Sequence, residues 1–513
     1  MKKDPIFTYQ THVQLDEGGE AALAKAAEHL SLVERFLFAD YARGKDISLL
    51  KSEYLQKHGI TARQFNAIRL QLEGKIESIV KLRDEQIARL PSEIEKVKKL
   101  IVSLKKKNKE PSVIDKKIWK QERLEKKLSG LLEDKRLGKV RLCFGSQKLF
   151  RAQFHLEENG YLSHEEWKED WDKKRNDSFF TLGSKDEMAG NQTCVATLCE
   201  DGTLTLKLRL PDALKLEHGR YLIIEKVYFA YGHAAVVAAL ESCEQRQKLK
   251  SEGNTSHTLY GQAISYRFKQ GDNNKWYVFA STSLAPVATC THKERGTIGI
   301  DINADHIALV ETGANGNPIY AKCFPLTTYG KSSEQAEALI GDVVAQVVSH
   351  AIDVQKPLVL EDLDFTEKKE SLKKSSNASY ARMLSSFVYN KIITSVQSRG
   401  YRTGVEVLSV NPAFTSVIGR IKYAVRYGLT IHEAAALCIA RRGLGVSEKM
   451  PRRLDHIPTG KGDYVSLTLP ARNRAKNKRP SWTELSKKLR AELAARVWAK
   501  KKEPIHRSSK RAA

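Results

Sequence analysis

The chain is poor in cysteine, poor in acid relative to base, and without long apolar runs. Its seven cysteines in 513 residues, Cys143, Cys194, Cys199, Cys243, Cys290, Cys323 and Cys438, are scattered and odd in number. No CxxC pair occurs, so neither a disulfide framework nor a zinc ribbon organises the fold, and a reducing, cytoplasmic compartment is expected. No stretch reaches the roughly 18–20 apolar residues of a membrane span, and the opening MKKDPIFTYQ has no signal-type apolar run. No membrane partner is therefore expected. The acid deficit, 61 Asp and Glu against 86 Lys and Arg, leaves a net charge of +25. A field of this size attracts phosphate backbones, and binding to them releases condensed counterions. The length suffices for two to four cores, since a single core rarely grows past about 250–300 residues.

What is present reads as a mixed α/β multidomain chain. Phe7, Tyr9, Thr11, Val13 and Leu15 share one parity, the period of a half-buried strand, and residues 1–17 are assigned to it. Residues 18–139 are helical: LSLVERFLFADYARGK and YLQKHGITARQFNAIRLQLEGKIESIVKL are amphipathic, with a break at Gly59 and Thr61. A charge-dense pair of long helices follows, folded back at KNKEPS (Lys107–Ser112). Residues 140–290 alternate as strands. DGT (Asp201–Thr203) and GDNNK (Gly271–Lys275) turn two hairpins, and with the first strand these are expected to form one oligonucleotide-binding-like β-barrel that the helices interrupt. Tyr260, Tyr266, Phe268, Trp276 and Tyr277, interleaved with Arg267, Lys269 and Lys275, either stack on nucleic acid or fill the barrel core.

Residues 296–443 change grammar again. GTIGIDI, HIALVETG and NPIYAKCFPL are three strands in succession. SEQAEALIGDVVAQVVSHAIDV is a helix, PLVLEDL a buried strand, and SYARMLSSFVYNKIITSVQSRG a helix ended by Gly400. TGVEVLSV is a strand and IHEAAALCIARR the closing helix. This is the order of an RNase H-like core. Residues 444–513 are a basic tail; the last 73 residues hold 21 Lys or Arg and 6 Asp or Glu, +15 of the +25. Within the tail, LPARNRAKNKRPS is expected to be flexible or to order on a polyanion.

Asp301 lies at the end of the apolar strand TIGIDI, one residue before its last, and Glu361 ends KPLVLE. In an RNase H-like sheet these strands are neighbours, so both carboxylates emerge at one edge. Carboxylates so placed hold Mg²⁺ or Mn²⁺, which activate water and stabilise the leaving oxygen of a phosphodiester.

Over residues 296–442 the sequence resembles the transposon-encoded TnpB family, related to the type V CRISPR effectors. The resemblance rests on GIDIN (Gly299–Asn303), VLEDLDF (Val359–Phe365) and VNPAFTS (Val410–Ser416), followed by the AAALCIARR helix. Upstream, the order of strand, helical insertion and barrel is similar in outline to the family's wedge and recognition lobes. The resemblance implies a RuvC-type nuclease core, a guide RNA, a double-stranded DNA target chosen by base pairing, and a bacterial, nucleoid-associated setting. Two departures stand out. The zinc ribbon that usually follows the third motif is replaced by SVIGRIKYAVRYGLT. The third acid, normally just before the closing helix, falls on His432, with Glu433 beside it.

Thr430 and Glu433 form T-x-x-E, a capping box in which Glu reaches back to the cap backbone. His432 points about 100° away from Glu433 around the helix and shares a face with Ala435, Ala436 and Ile439. An imidazole ligates Mn²⁺, and Mg²⁺ less readily, and some RuvC resolvases look similar here. His432 is therefore the expected third member with Asp301 and Glu361. Asp305 and Asp364 read as neighbours of the motif acids, and His306 as structural. Arg420, Lys422, Arg426, Arg441 and Arg442 flank the closing helix, and Arg472, Arg474, Lys476, Lys478 and Arg479 crowd the tail. All ten are candidate nucleic-acid contacts. A nuclease-dead guided DNA-binding repressor and a guide-independent resolvase remain open. An actin-like ATPase fits poorly, because no second glycine-rich phosphate loop follows. The sequence leaves the oligomeric state open.

Overall fold

The computed structural model describes residues 5–252, 261–284, 287–362, 386–451, 454–459, 463–468 and 479–502. The chain divides into two compact units, residues 1–284 and 285–513.

In the first unit, strand β1 (Ile6–His12) leads into helices α1 (Glu17–Ala42), α2 (Lys51–His58), α3 (Ala62–Lys106) and α4 (Pro111–Arg136). Thr61 caps α3 in a capping box with Gln64, and α3 and α4 fold back around residues 107–110, as expected. The helical region then continues through α5 (Gln147–Ala152) and α6 (His164–Arg175), so strands resume at residue 178 rather than 140. Local signals explain this: Ser146 and Ser163 cap the two helices, and Trp167 packs inward, donating to the Leu149 carbonyl at 2.7 Å.

Strands β2 (Ser178–Thr181), β3 (Cys194–Leu198), β4 (Leu204–Arg209) and β5 (Tyr221–Val227) follow. A short helix, α7 (Lys215–His218), lies between the last two. Helix α8 (His233–Ser251) then precedes β6 (Ile264–Gln270) and β7 (Trp276–Ser283). Both expected hairpins form, β3 with β4 and β6 with β7. The first strand closes on the last, β1 pairing antiparallel with β7 from Ile6↔Ser283 to His12↔Tyr277. Instead of one hydrogen-bonded barrel, the described strands form two antiparallel sheets, β1-β7-β6-β2 and β3-β4-β5. Both sheets feed one apolar core together with α1 and α3. Tyr266, Phe268 and Trp276 are fully buried in it, so these three aromatics are core and not a stacking surface. Tyr260 lies outside the described residues.

In the second unit, β8 (Ile298–Ile302), β9 (His306–Thr312) and β10 (Pro318–Pro325) precede α9 (Ser333–Val354) and β11 (Leu358–Glu361). Helix α10 (Ser386–Thr403) and β12 (Val407–Val410) follow. The sheet order is β10-β9-β8-β11-β12. β9 runs antiparallel to both of its neighbours, β8 and β10, and β8, β11 and β12 are mutually parallel. This is the order and sense expected of an RNase H-like core. Helix α10 does not end at Gly400: it runs to Thr403 and stops at Gly404, whose φ of 74° suits glycine. Gly400 is needed for closeness instead, since a Cβ there would press on Val405 and Val407.

One face of the sheet packs on α9 and α10 through Ile298, Ile300, Leu358 and Leu360. The other takes α13 (Ile431–Gly443), reached through α11 (Thr415–Gly419), a π-helical turn (Arg420–Ala424) and α12 (Val425–Tyr427). Thr430 and Glu433 form the expected capping box. The run Ala434–Ala436 and Ala440 is buried, and such small side chains let the helix lie close on the sheet. The region after residue 443 is not merely a tail. Strands β13 (Ile457–Pro458) and β14 (Tyr464–Val465) pair, and α14 (Arg479–Lys502) buries Trp482, Leu485 and Leu489 against Ile418, Tyr423 and Leu437. Residues 469–478, which carry Arg472, Arg474, Lys476 and Lys478, lie outside the described residues.

Candidate active site

Asp301 and Glu361 occupy equivalent positions on adjacent parallel strands. β8 and β11 pair with Leu358 opposite Ile298 and Val359 opposite Gly299, so two residues further along Glu361 corresponds to Asp301. Alternation along a strand puts Asp301 on the same face as Gly299 and Glu361 on the same face as Val359. That face is covered by α13: a side chain at Gly299 would meet Ala436 and Ala440, and one at Gly443 would meet Val359. Both carboxylates therefore leave the sheet at the same end and toward the same helix.

The first turn of α13 supplies the third group. His432 Nδ1 lies 3.4 Å from Asp301 Oδ2, with the Asp301 side chain 11% exposed and the imidazole 48% exposed. Asn303 Nδ2 donates to the same oxygen at 2.9 Å. Glu433 turns the other way, accepting from the Thr430 backbone N–H at 2.9 Å and its hydroxyl at 2.8 Å. Glu433 closes the helix end, and His432 faces the acid.

Glu361 is held by Thr415, whose hydroxyl donates to Glu361 Oε1 and also lies 3.1 Å from the Pro412 carbonyl. Phe414, just before it, sits in the left-handed region with φ 65°, a costly conformation for a bulky residue that starts α11 at Thr415. The phenol of Tyr389, on α10, is buried. Burial first, then the charges of Glu361 and Asp301, push it well above the ordinary tyrosine value. One phenol thus feels both acids.

At the β8–β9 turn, His306 Nδ1 lies 2.7 Å from Asp305 Oδ1. That bond holds the Asp305 carboxyl below its ordinary value. The His306 ring stands edge-on to that of His432, with centroids 4.7 Å apart and planes at 77°.

The donor set suits a divalent ion of the Mg²⁺ or Mn²⁺ class. Two cis donors on an octahedral ion with bonds of about 2.0–2.1 Å sit about 3 Å apart, close to the 3.4 Å between His432 Nδ1 and Asp301 Oδ2. A nitrogen in the set favours Mn²⁺ over Mg²⁺. Among the described residues, no group of three His, Cys, Asp or Glu side chains is already gathered around one point. Glu361 is in register, but one of its oxygens is engaged by Thr415.

The basic candidates divide. Lys422 donates to buried Glu448, as does Arg441 Nε at 2.8 Å. Arg442 donates to the backbone carbonyls of Asn411 and Ala413 and so braces the loop carrying Thr415. Arg420 is partly buried, which lowers its pKa. These four are engaged in or sunk into the fold. Arg426 is exposed and lies over the Tyr427 ring, and Arg479 is exposed at the start of α14. Asp364 lies outside the described residues. Asn303, Thr415 and Tyr389 were not singled out by the sequence. The first two sit inside GIDIN and VNPAFTS, whereas nothing local marks Tyr389.

No known family profile matches the chain, and no curated protein matches it. Among solved structures, the T. thermophilus RuvC complex with a Holliday junction substrate aligns at TM-score 0.21 and 16% identity, over 28% of this chain and 88% of RuvC. The CRISPR-Cas12f ternary complex aligns at 0.23 and 10%, over 82% of this chain and 80% of that one. The Cas12i1 R-loop complex after target DNA cleavage aligns at 0.20 and 11%, over 89% of this chain and 54% of that one. Likeness this slight establishes no relationship, and the fold assignment stands on the strand order and directions. No described helix is long and apolar enough to cross a membrane.

Proposed function

We propose that this protein is an RNA-guided DNA endonuclease that hydrolyses phosphodiesters by a divalent-metal, RuvC-type mechanism. The observation that carries the reading is the register match of Asp301 and Glu361 on adjacent parallel strands, with His432 Nδ1 3.4 Å from Asp301. In this mechanism Asp301, Glu361 and His432 are the residues that would hold the metal, Mg²⁺ or Mn²⁺. The bound ion supplies Lewis-acid polarisation of the phosphate and lowers the pKa of water. The protein's own part is orientation. Asn303 fixes one oxygen of Asp301, Thr415 fixes one of Glu361, and Glu433 holds the end of the helix that carries His432. Guide RNA and double-stranded DNA as partners rest on the motif resemblance and on the +25 charge. The test is to purify the full chain with its RNA, sequence that RNA, and assay a matched duplex in Mg²⁺ and Mn²⁺. Cleavage that Asp301→Ala abolishes is the expected outcome; equal cleavage by the variant removes the assignment.

A second reading, a guided DNA-binding protein that does not cut, is favoured by the lack of a gathered three-donor cluster among the described residues. Tight binding of the matched duplex, with no cleavage in either metal, would select it.

A further inference from the structure

His432 is poorly restrained by its own element. It is the second residue of α13, its ring is half exposed, and its polar contact with Asp301 is long at 3.4 Å. A ring so placed has rotamers that leave the acid altogether. The neighbour that limits it comes from the β8–β9 turn, where His306 meets the ring edge-on. His306 is more enclosed than His432, and the Asp305 carboxylate beside it is 67% exposed. His306 Nδ1 is 2.7 Å from Asp305 Oδ1, and the His306 side chain is 19% exposed. The backbone on both sides is pinned as well: Leu326 N–H donates to the Asp305 carbonyl at 2.7 Å, and Asn303 N–H donates to the His306 carbonyl at 2.9 Å. Rigid backbone, carboxylate, first imidazole and second imidazole thus form a continuous chain ending on Asp301.

We propose that Asp305 and His306 are a positioning pair for His432. Asp305 accepts the Nδ1–H of His306, which sets that ring's tautomer and angle. The ring then blocks the rotamers in which His432 swings away from Asp301. His432 thereby keeps Nδ1 toward the acid, the orientation in which both can serve one ion. This rests on the reading of His432 as the third member of the site. It adds that a histidine replacing a carboxylate needs such a brace, because an imidazole presents one donor atom in one direction where a carboxylate presents two.

The test uses the full-length protein stripped of metal, with Mn²⁺ alone as the probe and the free-ion electron paramagnetic resonance signal as the measure of binding. His432→Ala calibrates the site. His306→Ala is expected to weaken Mn²⁺ binding about 10–100-fold, the usual size for losing a partner that orients a ligand. His306→Phe, which keeps a ring edge at the same place, should recover most of that loss. Asp305→Asn should fall between the two. A second readout follows the ring directly. In ¹⁵N-histidine-labelled protein, the His432 resonances are identified by their disappearance in His432→Gln. They should report one ring state in wild type and an averaged one in His306→Ala, a change that a general loss of stability does not produce. If His306→Ala binds Mn²⁺ like wild type while His432→Ala does not, the positioning role is wrong and the site reading stands. If His432→Ala also binds like wild type, the site reading fails and this inference falls with it.

Discussion

Gly299 lies directly beneath the Ala436 carbonyl of α13, so close that even a methyl group on Gly299 would collide with helix backbone. The glycine of the GIDIN motif is therefore a spacing residue. It lets α13 sit low enough for His432 to reach Asp301. Gly299→Ala has no flexible neighbour to push aside, and overpacking of this kind costs about 1–3 kcal/mol. The second unit should melt lower in thermal unfolding, and metal-dependent activity should drop beyond what the stability loss explains, because α13 must ride up from the sheet. Activity unchanged in Gly299→Ala would mean that the height of the helix does not matter.

Much of this site is legible in the sequence, for specific reasons. Asp301 lies one residue from the end of β8 and Glu361 ends β11, each in an apolar run of strand length, and two such ends in this order belong on neighbouring strands. The T-x-x-E box separated Glu433 from His432 because capping is local. Thr415 was not legible, since it meets Glu361 across 54 positions of sequence and nothing near either residue encodes that pairing. Gly400 was misread as a helix end because a glycine required for close packing looks the same in sequence as one required for a turn. The tail misled by charge. Trp482, Leu485 and Leu489 stand at helical spacing and are buried, but the surrounding lysines and arginines obscured that stripe. Alternation showed that one face of β6 and β7 is special without saying whether core or ligand covers it, and the core does.

Thr415 offers a direct test of how Glu361 is aimed. Thr415→Val keeps the shape and removes the hydroxyl, leaving Glu361 without that donor. Activity or metal affinity should fall about 10–100-fold, and Thr415→Ser should restore it. Measuring kcat and KM separately distinguishes the cases: loss of aim lowers kcat, while a damaged substrate surface raises KM. If Thr415→Val cuts like wild type, Glu361 is positioned by other contacts.

The two residues at the start of α13 should respond in opposite ways. Glu433→Gln retains a side chain able to complete the capping box and should leave both stability and activity near wild type. Glu433→Ala should cost stability on the scale of a lost cap, about 0.5–2 kcal/mol, while still cleaving at permissive temperature. His432→Ala should do the reverse, folding normally and losing activity. Denaturant unfolding beside a cleavage assay checks all three, and an inactive but stable Glu433→Gln would reverse the roles assigned here.

Behind α13, buried Glu448 is the anchor of a charged network and should give the second unit an acid-sensitive component. It accepts from Lys422, from the Tyr423 hydroxyl and from Arg441 Nε. Burial alone would raise its pKa, but these three donors outweigh burial and hold it below the ordinary 4.5. A carboxyl whose folded pKa is depressed binds its proton more readily in the unfolded chain. Its contribution is therefore fully present above about 4.5, the unfolded value, and is lost as the pH falls through the lower folded value. Glu448→Gln should destabilise the second unit at neutral pH by about 3–5 kcal/mol, because it leaves Lys422 and Arg441 without their counter-charge. As the pH drops below 4.5, wild type should lose that advantage, and its urea midpoint should approach that of the variant. A gap between the two that stays constant from neutral pH into that acid range would show that the Glu448 charge does not stabilise the fold.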